Sequence, residues 1–200
     1  MKEYDVVIIG AGPGGLAAAK ILAENNKKVL VLEKNKVIGP KVCAGGLTTK
    51  DFDLGIPKSI AERFFDKVLL HTPLATSEIT DKKPYVATVD RKQLGHYMEK
   101  EARLTGAEII TRCEVTSIGK NSIKTKDNEE INFRYLIGAD GSRSSVREYL
   151  GLPKKDLIAF HYKVPGNFQK MEIFFDAGLF GSGYAWIFPH NGWASVGGGF

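Results

Sequence analysis

The first part of the chain alternates short apolar runs with glycine-rich and polar stretches. Asp5–Ile9 is a run of mostly β-branched residues, and Lys28–Leu32 is a second apolar run that ends at Glu33. Leu16–Ala19 lies between them and is small and apolar, which suits a helix that packs close to a sheet. Short apolar runs are typical of parallel strands that are buried on both faces. The pattern therefore predicts a strand–helix–strand unit over Tyr4–Glu33.

The chain after Glu33 is predicted to begin with a loop over residues 34–50. Ser59–Glu62 fits the capping box of a short helix, which makes Glu62 a helix cap and nothing more. Farther along, short apolar runs bounded by turn residues predict strands. These runs are Val68–Leu70, Glu78–Thr80, Tyr85–Val89, Ile109–Ile110, Cys113–Ile118, Ser122–Thr125, Ile131–Phe133, Tyr135–Ile137, Met171–Phe175 and Gly183–Pro189.

Two further helices are predicted from their terminal residues. Asp90 is suited to an N-cap with Gln93 at the third helical position, and this helix is expected to end at Gly106. Ser142–Arg147 begins the other helix, and Gly151 is its expected stop. The alternation of strands and helices predicts an α/β fold that becomes β-rich toward the end of the chain.

Composition limits the classes of protein to which the chain can belong. Its 200 residues, 43% of them hydrophobic, can bury the core of one or two domains. The net charge of +5 fits either a solvated lysine surface or attraction to anionic ligands or an anionic membrane, and we expect no nucleic-acid partner. Cys43 and Cys113 fit no metal-binding or C-x-x-C spacing, which favours a reduced, cytoplasmic setting. We expect neither a signal peptide nor a membrane span.

The glycine-rich turn after the first strand contains G-x-G-x-x-G. Gly10 permits the tight turn, Gly12 lets a pyrophosphate approach the backbone, and Gly15 lets the helix pack against the strand. The start of the helix offers unpaired N–H groups and the positive end of its dipole to that pyrophosphate. Glu33 ends the second strand, where a carboxylate can accept hydrogen bonds from both ribose hydroxyls and disfavours a 2′-phosphate. The alternative is an ordinary turn between a strand and a helix.

Three other features each have two interpretations. The pair of glycines in Cys43–Gly46 fits either a mobile surface loop or a backbone that a flat ligand approaches closely. Arg91 is a cation in the first turn of a helix, where it opposes the dipole, so it either extends into solvent or meets an anion from elsewhere. Tyr184, Trp186 and Phe188 share one face of a strand, which lines an apolar pocket or forms the core of a sheet.

Six motifs occur in an order that resembles a known family. They are G-A-G-P-G-G, E-K, C-A-G-G, D-R, G-A-D-G-S-R-S-S-V-R and Y-A-W-I-F-P. Over nearly the whole chain they resemble the geranylgeranyl reductase family of flavoproteins, which are built like p-hydroxybenzoate hydroxylase. C-A-G-G and Y-x-W-x-F-P are more particular to the prenyl reductases than the other motifs are. The chain departs from the family at Gly181, where the longer aromatic motif has proline. It also stops before the family's third flavin motif, G-D-A-A-G, so we expect it to be C-terminally incomplete.

The resemblance implies an α/β fold of two parts. One is a Rossmann-like FAD-binding domain of the glutathione-reductase type, expected over residues 1–66 and 91–151. The other is an antiparallel β domain on the substrate side, truncated and expected over residues 67–90 and 152–200.

The resemblance also implies which residues bind FAD. Glu33 would bind the adenosine ribose, Arg91 the phosphates or the ribityl chain, and the backbone at Val115 the adenine. Asp140 and Gly141 match the second dinucleotide motif and follow a strand at the edge where open α/β sheets bind ligands. The complete set of implied cofactor-binding residues is Gly10, Gly12, Gly14, Gly15, Glu33, Lys34, Cys43, Ala44, Gly46, Arg91, Val115, Asp140 and Gly141.

The implied reaction is reduction of prenyl double bonds, such as those of geranylgeranyl chains, in isoprenoid lipids or diphosphates. NAD(P)H or ferredoxin would be the external electron donor, and a basic protein could work peripherally at an anionic membrane surface. Tyr184, Trp186 and Phe188 would line the substrate channel, Cys43 and Tyr184 are candidate proton donors, and no metal is expected. The alternatives are a flavin-dependent aromatic hydroxylase of the same fold and a non-catalytic remnant that binds a nucleotide or nothing.

Overall fold

The computed structural model describes residues 3–154 and 157–200. The strands are β1 Glu3–Ile9, β2 Val29–Glu33, β3 Gly46–Thr48, β4 Ala61–Phe65, β5 Lys67–His71, β6 Thr76–Thr80, β7 Val86–Val89, β8 Glu108–Thr111, β9 Val115–Ile118, β10 Ser122–Thr125, β11 Glu130–Gly138, β12 Ala159–Pro165, β13 Met171–Phe174, β14 Tyr184–Pro189 and β15 Trp193–Gly199. The helices are α1 Pro13–Glu24, α2 Thr49–Asp53, α3 Arg91–Leu104, α4 Ser145–Tyr149 and α5 Ala177–Phe180, with a 3-10 turn at Lys58–Ile60. Within the described ranges, no helix combines the length and the apolar character that a membrane span needs.

The chain forms two compact units, each made of two segments. The first unit contains Met1–Pro40 and Leu94–Asp156, and the second contains Lys41–Gln93 and Leu157–Phe200. These limits differ from the predicted domains, because residues 41–66 belong to the second unit. The reason is strand pairing: β3 and β4 both pair with β7, which holds the segment in that unit.

The first unit contains one six-stranded sheet in the order β8-β2-β1-β11-β10-β9. Pairing is parallel from β8 to β11 and antiparallel from β11 to β9. Alternate residues of β1 enter two apolar clusters on opposite faces, with Val6 and Ile8 in one and Val7 and Ile9 in the other. The prediction that the first apolar run is a parallel strand buried on both faces is therefore confirmed for β1. The two runs predicted around Arg134 are one continuous strand, because β11 pairs with β1 along its length.

The second unit contains two sheets. One has the order β12-β15-β14-β13-β5-β6, and the other has the order β3-β7-β4. Pairing is antiparallel in both, as expected, except that β13 pairs with β5 in parallel. Phe65, Val68 and Met171 form a buried cluster in this unit.

Two local predictions have opposite outcomes. The helix predicted at Ser59–Glu62 is wrong, because the chain makes only the 3-10 turn and then enters β4, whose Phe65 is buried. Pairing with β7 outweighs the local capping signal, and Glu62 is not a helix cap. The predicted N-cap at Asp90 is confirmed, since its Oδ1 accepts hydrogen bonds from the backbone N–H groups of Lys92 (2.8 Å) and Gln93 (2.9 Å).

Candidate functional site

The glycines of the first turn fall into two pairs. Gly10 has a φ of +101°, and a Cβ there would lie 2.4 Å from the Ala139 carbonyl oxygen. A Cβ on Gly15 would lie 2.0 Å from the Gly10 carbonyl oxygen. At Gly12 the nearest atom to such a Cβ is 3.9 Å away, and at Gly14 there is none within 4 Å. The protein's own packing thus requires Gly10 and Gly15, whereas Gly12 and Gly14 leave open space in front of the turn.

Helix α1 begins at this turn without a side-chain cap. Its N-cap residue is Gly12, Pro13 is its first residue, and no acidic side chain lies in its first turn. The N–H groups at the start of a helix need acceptors from outside it, and the helix dipole favours a negative charge there. The open space before Gly12 and Gly14 therefore adjoins hydrogen-bond donors that can bind an anion.

The carboxylate of Glu33 lies beside the glycine turn. Its Oε2 accepts a hydrogen bond from the Ala11 N–H at 2.9 Å, and its Oε1 accepts from the backbone N–H (2.8 Å) and the side-chain amide (2.7 Å) of Asn35. An ionised carboxylate has about four lone-pair positions, so one is left for a ligand. Cys113 lies two residues before Val115, where β9 begins, and its N–H donates to the Glu33 carbonyl oxygen at 2.9 Å. Lys34 is exposed.

Asp140 lies on the other side of the same turn. The residue before it is fixed to the end of β1, because the Ala139 N–H donates a hydrogen bond to the Ile9 carbonyl oxygen at 2.8 Å. Its Oδ2 accepts from the Ser145 N–H at 2.7 Å and from the Ser145 hydroxyl at 3.0 Å. Its Oδ1 is buried and, among the described residues, has no partner. Burial raises the pKa of Asp140, but hydrogen bonds from Ser144 and Ser145 outweigh it and hold the pKa below its ordinary value.

We expect Asp140→Asn to lower the free energy of unfolding at pH 7 by about 2 kcal/mol, because hydrogen bonds to an ionised group are lost. A carboxyl with a lowered pKa stabilises the fold above its unfolded pKa, and this contribution is lost as the pH falls through the folded value. The difference between the variant and the unchanged protein should therefore shrink below about pH 4. Urea unfolding at pH 7 and pH 3 measures it, with the exposed Asp53→Asn as control. A difference that does not depend on pH would contradict the assignment.

In the second unit, the Cys43–Gly46 loop packs against β7 and β14. Gly45 has a φ of +83°, and its carbonyl oxygen accepts a hydrogen bond from the Val89 N–H at 2.9 Å. A Cβ on Gly46 would lie 2.6 Å from the ring of Phe188. Cys43 is exposed, and its Sγ accepts from the Gly45 N–H at 3.5 Å. The two adjacent glycines thus let the backbone approach other parts of the protein closely.

The three aromatic residues of strand β14 differ in how deeply they are buried. Neighbouring ring centroids lie 5.8 Å apart for Tyr184 and Trp186, and 6.5 Å apart for Trp186 and Phe188, so the three side chains share one face. Tyr184 is 43% exposed, whereas Trp186 is 8% exposed and donates its indole N–H to the Ser195 hydroxyl at 3.1 Å. Phe188 packs against the core cluster of this unit. The face therefore runs from an exposed ring at Tyr184 to a core ring at Phe188.

Arg91 and a buried histidine complete the candidate residues. The Nε of Arg91 is buried and has no partner among the described residues, which fits the reading in which this cation meets an anion from elsewhere. His190, 3% exposed, was missed because a lone histidine after Y-A-W-I-F-P forms no pattern in the sequence. Its imidazole contacts the carboxylate of Glu62 and the carbonyl oxygen of Ala44. In the described part of the chain, no group of His, Cys, Asp and Glu is placed to hold a metal ion.

Residues 3–178 match the family model described as FAD binding domain. The chain is 30% identical to digeranylgeranylglycerophospholipid reductase of Methanocaldococcus jannaschii and to geranylgeranyl diphosphate reductase of Rhodobacter capsulatus. These alignments cover 97% and 98% of this chain and 54% of each relative, so the chain spans about half the length of these relatives.

Solved structures are similar over the full chain. A geranylgeranyl bacteriochlorophyll reductase-like protein from Thermoplasma acidophilum matches with a TM-score of 0.82 and 24% identity, over 100% of this chain and 57% of the other. PqsL of Pseudomonas aeruginosa, a probable FAD-dependent monooxygenase, matches with a TM-score of 0.77 and 16% identity, over 100% and 61%. At these identities the likeness concerns the fold.

Proposed function

The chain belongs to the FAD binding domain family, and on this premise we propose that it acts as a reductase of prenyl double bonds in isoprenoid lipids or diphosphates. Its cofactor is FAD. The substrate class is inferred from relatives named as reductases of a digeranylgeranylglycerophospholipid and of geranylgeranyl diphosphate. Because the chain spans about half of their length, the proposal concerns the activity to which this part contributes.

The first unit has the features that the nucleotide half of FAD requires. The uncapped start of α1 would hold the pyrophosphate, and the open space at Gly12 and Gly14 would admit it. The free lone-pair position of Glu33 would accept from the adenosine ribose. Among the described residues, the buried Oδ1 of Asp140 has no partner, and a hydroxyl of the cofactor would supply the missing donor. The chain entering β9 near Val115 would border the adenine.

A single observation in the second unit favours a prenyl reductase. C-A-G-G and Y-A-W-I-F-P, the two motifs more particular to those enzymes, are in contact, since Gly46 packs against the ring of Phe188. The Cys43–Gly46 loop would lie beside the flavin, with Cys43, Ala44 and Gly46 as the contacting residues. Arg91 would meet the phosphates or the ribityl chain. The aromatic face of Tyr184, Trp186 and Phe188 would then bind the prenyl chain next to that loop.

Bound FAD, once reduced by the external donor, would supply the two electrons that the reduction of one double bond needs. The chain's own residues would fix the double bond and exclude water, because an unactivated alkene reacts only when it is held in one position. The exposed hydroxyl of Tyr184 and the exposed thiol of Cys43 are the two groups that could donate the proton. The net charge of +5 would favour substrates with phosphate groups at an anionic membrane surface. NAD(P)H or ferredoxin would be the external reductant.

The test is anaerobic incubation of the purified chain with FAD, dithionite and a geranylgeranylated glycerophospholipid, followed by mass spectrometry of the lipid. We expect the lipid to gain two hydrogens for each double bond that is reduced. Trp186→Ala should abolish the gain, because it removes the buried ring at the centre of the aromatic face. Ile79→Ala, at an exposed position on the edge strand β6, is the control and should leave the product unchanged.

A second candidate is a flavin-dependent aromatic hydroxylase, because the fold is shared with the probable FAD-dependent monooxygenase PqsL. It predicts a product that contains oxygen, forms only in air and consumes NAD(P)H. An absorption spectrum without flavin bands after incubation with FAD, together with no product under either condition, would favour a non-catalytic remnant instead.

A further inference from the structure

Glu62 and His190 form a pair that contacts the Cys43–Gly46 loop. The His190 side chain is 2% exposed and that of Glu62 is 17% exposed, so both are largely removed from water. Nδ1 of the imidazole contacts Oε2 of Glu62, and Nε2 lies 2.9 Å from the carbonyl oxygen of Ala44. All three residues belong to the second unit. The pair therefore joins β4 to the loop through a ring at the end of β14.

The partners of the imidazole determine where its protons are. A carbonyl oxygen can only accept, so Nε2 must carry a proton that it donates to Ala44. Nδ1 faces a carboxyl group, and two lone pairs would repel each other there. One proton must therefore lie between Nδ1 and Oε2, whether the pair is imidazolium and carboxylate or imidazole and carboxylic acid. The pair has no net charge in either form, which makes its burial tolerable.

The position of the ring is fixed from several sides. It stacks on Trp193 with ring centroids 3.9 Å apart and planes 7° from parallel. The His190 N–H donates to the Trp193 carbonyl at 2.7 Å, which closes the turn between β14 and β15. A Cβ on Gly45 would lie 2.8 Å from Cε1 of the imidazole, so the loop backbone lies against the ring. A ring that is held in this way can fix the position of the loop backbone that it contacts.

We propose that Glu62 and His190 are positioning residues for the Cys43–Gly46 loop. The carboxyl group of Glu62 orients the imidazole, and Nε2 holds the Ala44 carbonyl in the direction that the loop requires. The effect of the pair on the cofactor rests on the proposed function, which places this loop beside the flavin. The effect on the loop itself does not depend on FAD and can be measured without it.

The experiment is amide hydrogen exchange of the full chain without FAD, read at Gly45, Gly46 and Val89. Glu62→Ala and His190→Phe should each speed exchange there by about tenfold or more. His190→Phe removes the hydrogen bond to the Ala44 carbonyl, and Glu62→Ala removes the carboxyl group that orients the imidazole. Glu62→Gln should restore slow exchange, because its amide can donate to Nδ1 while Nε2 still donates to Ala44. The conservative variant thus separates positioning by a hydrogen bond from a general effect of the substitution.

A second histidine–glutamate pair in the same unit is the matched control. Nε2 of His71 lies 2.7 Å from Oε2 of Glu172, between β5 and β13, and Nδ1 of His71 lies 3.0 Å from the Thr76 hydroxyl on β6 instead of facing the loop. Glu172→Ala should leave exchange at Gly45 and Gly46 unchanged.

Two results would overturn the proposal: unchanged exchange in both Glu62→Ala and His190→Phe, or exchange in Glu62→Gln as fast as in Glu62→Ala.

The effect of the pair on the cofactor is tested by the FAD affinity of the same variants, measured by quenching of flavin fluorescence. We expect Glu62→Ala to weaken it and Glu62→Gln to preserve it. Faster exchange with unchanged FAD affinity would confirm the role of the pair and contradict the place of the loop beside the flavin.

Discussion

Gly15→Ala is expected to lower the free energy of unfolding by about 3 kcal/mol, the upper end for an added methyl group in a closely packed site. The new Cβ would lie 2.0 Å from the Gly10 carbonyl oxygen and 3.2 Å from the side chain of Ala139. The Gly10 backbone has little freedom to move away, because its N–H donates to the Leu32 carbonyl at 2.8 Å. Urea unfolding followed by circular dichroism measures the change.

Gly14→Ala is the matched control for this prediction. It adds the same methyl group one position earlier in α1, where a Cβ meets nothing within 4 Å. Alanine is a better helix former than glycine by about 1 kcal/mol, so this variant should be as stable as the unchanged protein or slightly more so. Equal losses of stability in the two variants would show that close packing at Gly15 is not what requires glycine.

Glu33→Ala is expected to weaken FAD binding by about 1.5–3 kcal/mol, or roughly 10- to 150-fold in Kd, because a hydrogen bond to a charged acceptor is lost. The variant also removes the bonds that Ala11 and Asn35 donate to the carboxylate. Titration of the purified chain with FAD, followed by flavin fluorescence, gives the affinity. Urea unfolding without FAD shows how far the turn itself is affected.

Asp5→Ala provides a comparison at the opposite end of the same two strands. The Asp5 carboxylate accepts a hydrogen bond from the Lys28 N–H at 2.8 Å, so a bond of the same kind is removed away from the glycine turn. FAD affinity should not change in this variant. If Glu33→Ala bound FAD as tightly as Asp5→Ala, the assignment of Glu33 to the ribose would be wrong.

The sequence predicted the first unit more fully than the second. Its strand–helix–strand unit is local, since β1, the turn, α1 and β2 follow one another within about 30 residues. Local patterns and the geometry of the turn therefore determine it, and both Gly10 and Gly15 have the packing that the motif implies. The N-cap at Asp90 was predictable for the same reason, because an N-cap depends only on the residues that follow it.

Features that depend on distant pairing were not predictable in this way. Glu62 fits a capping box within four residues, yet it lies in β4, because pairing with β7 decides the conformation there. The contact between Glu62 and His190 joins residues more than 100 positions apart, and neither has a neighbour in the sequence that indicates the other. The sequence also does not show that the Nε of Arg91 and the Oδ1 of Asp140 are buried without a partner among the described residues, because burial of a polar atom depends on how the whole chain folds.

The place of β1 in the middle of its sheet has a consequence for synthesis on the ribosome. One edge of β1 pairs with β2, which follows soon after, but the other edge pairs with β11, which ends at Gly138. The ribosome adds about 5–20 residues per second, so several seconds pass between the synthesis of β2 and the synthesis of β11. During that time the nascent chain presents an apolar strand with one row of unpaired backbone groups, so shielding by a chaperone would matter most in that interval.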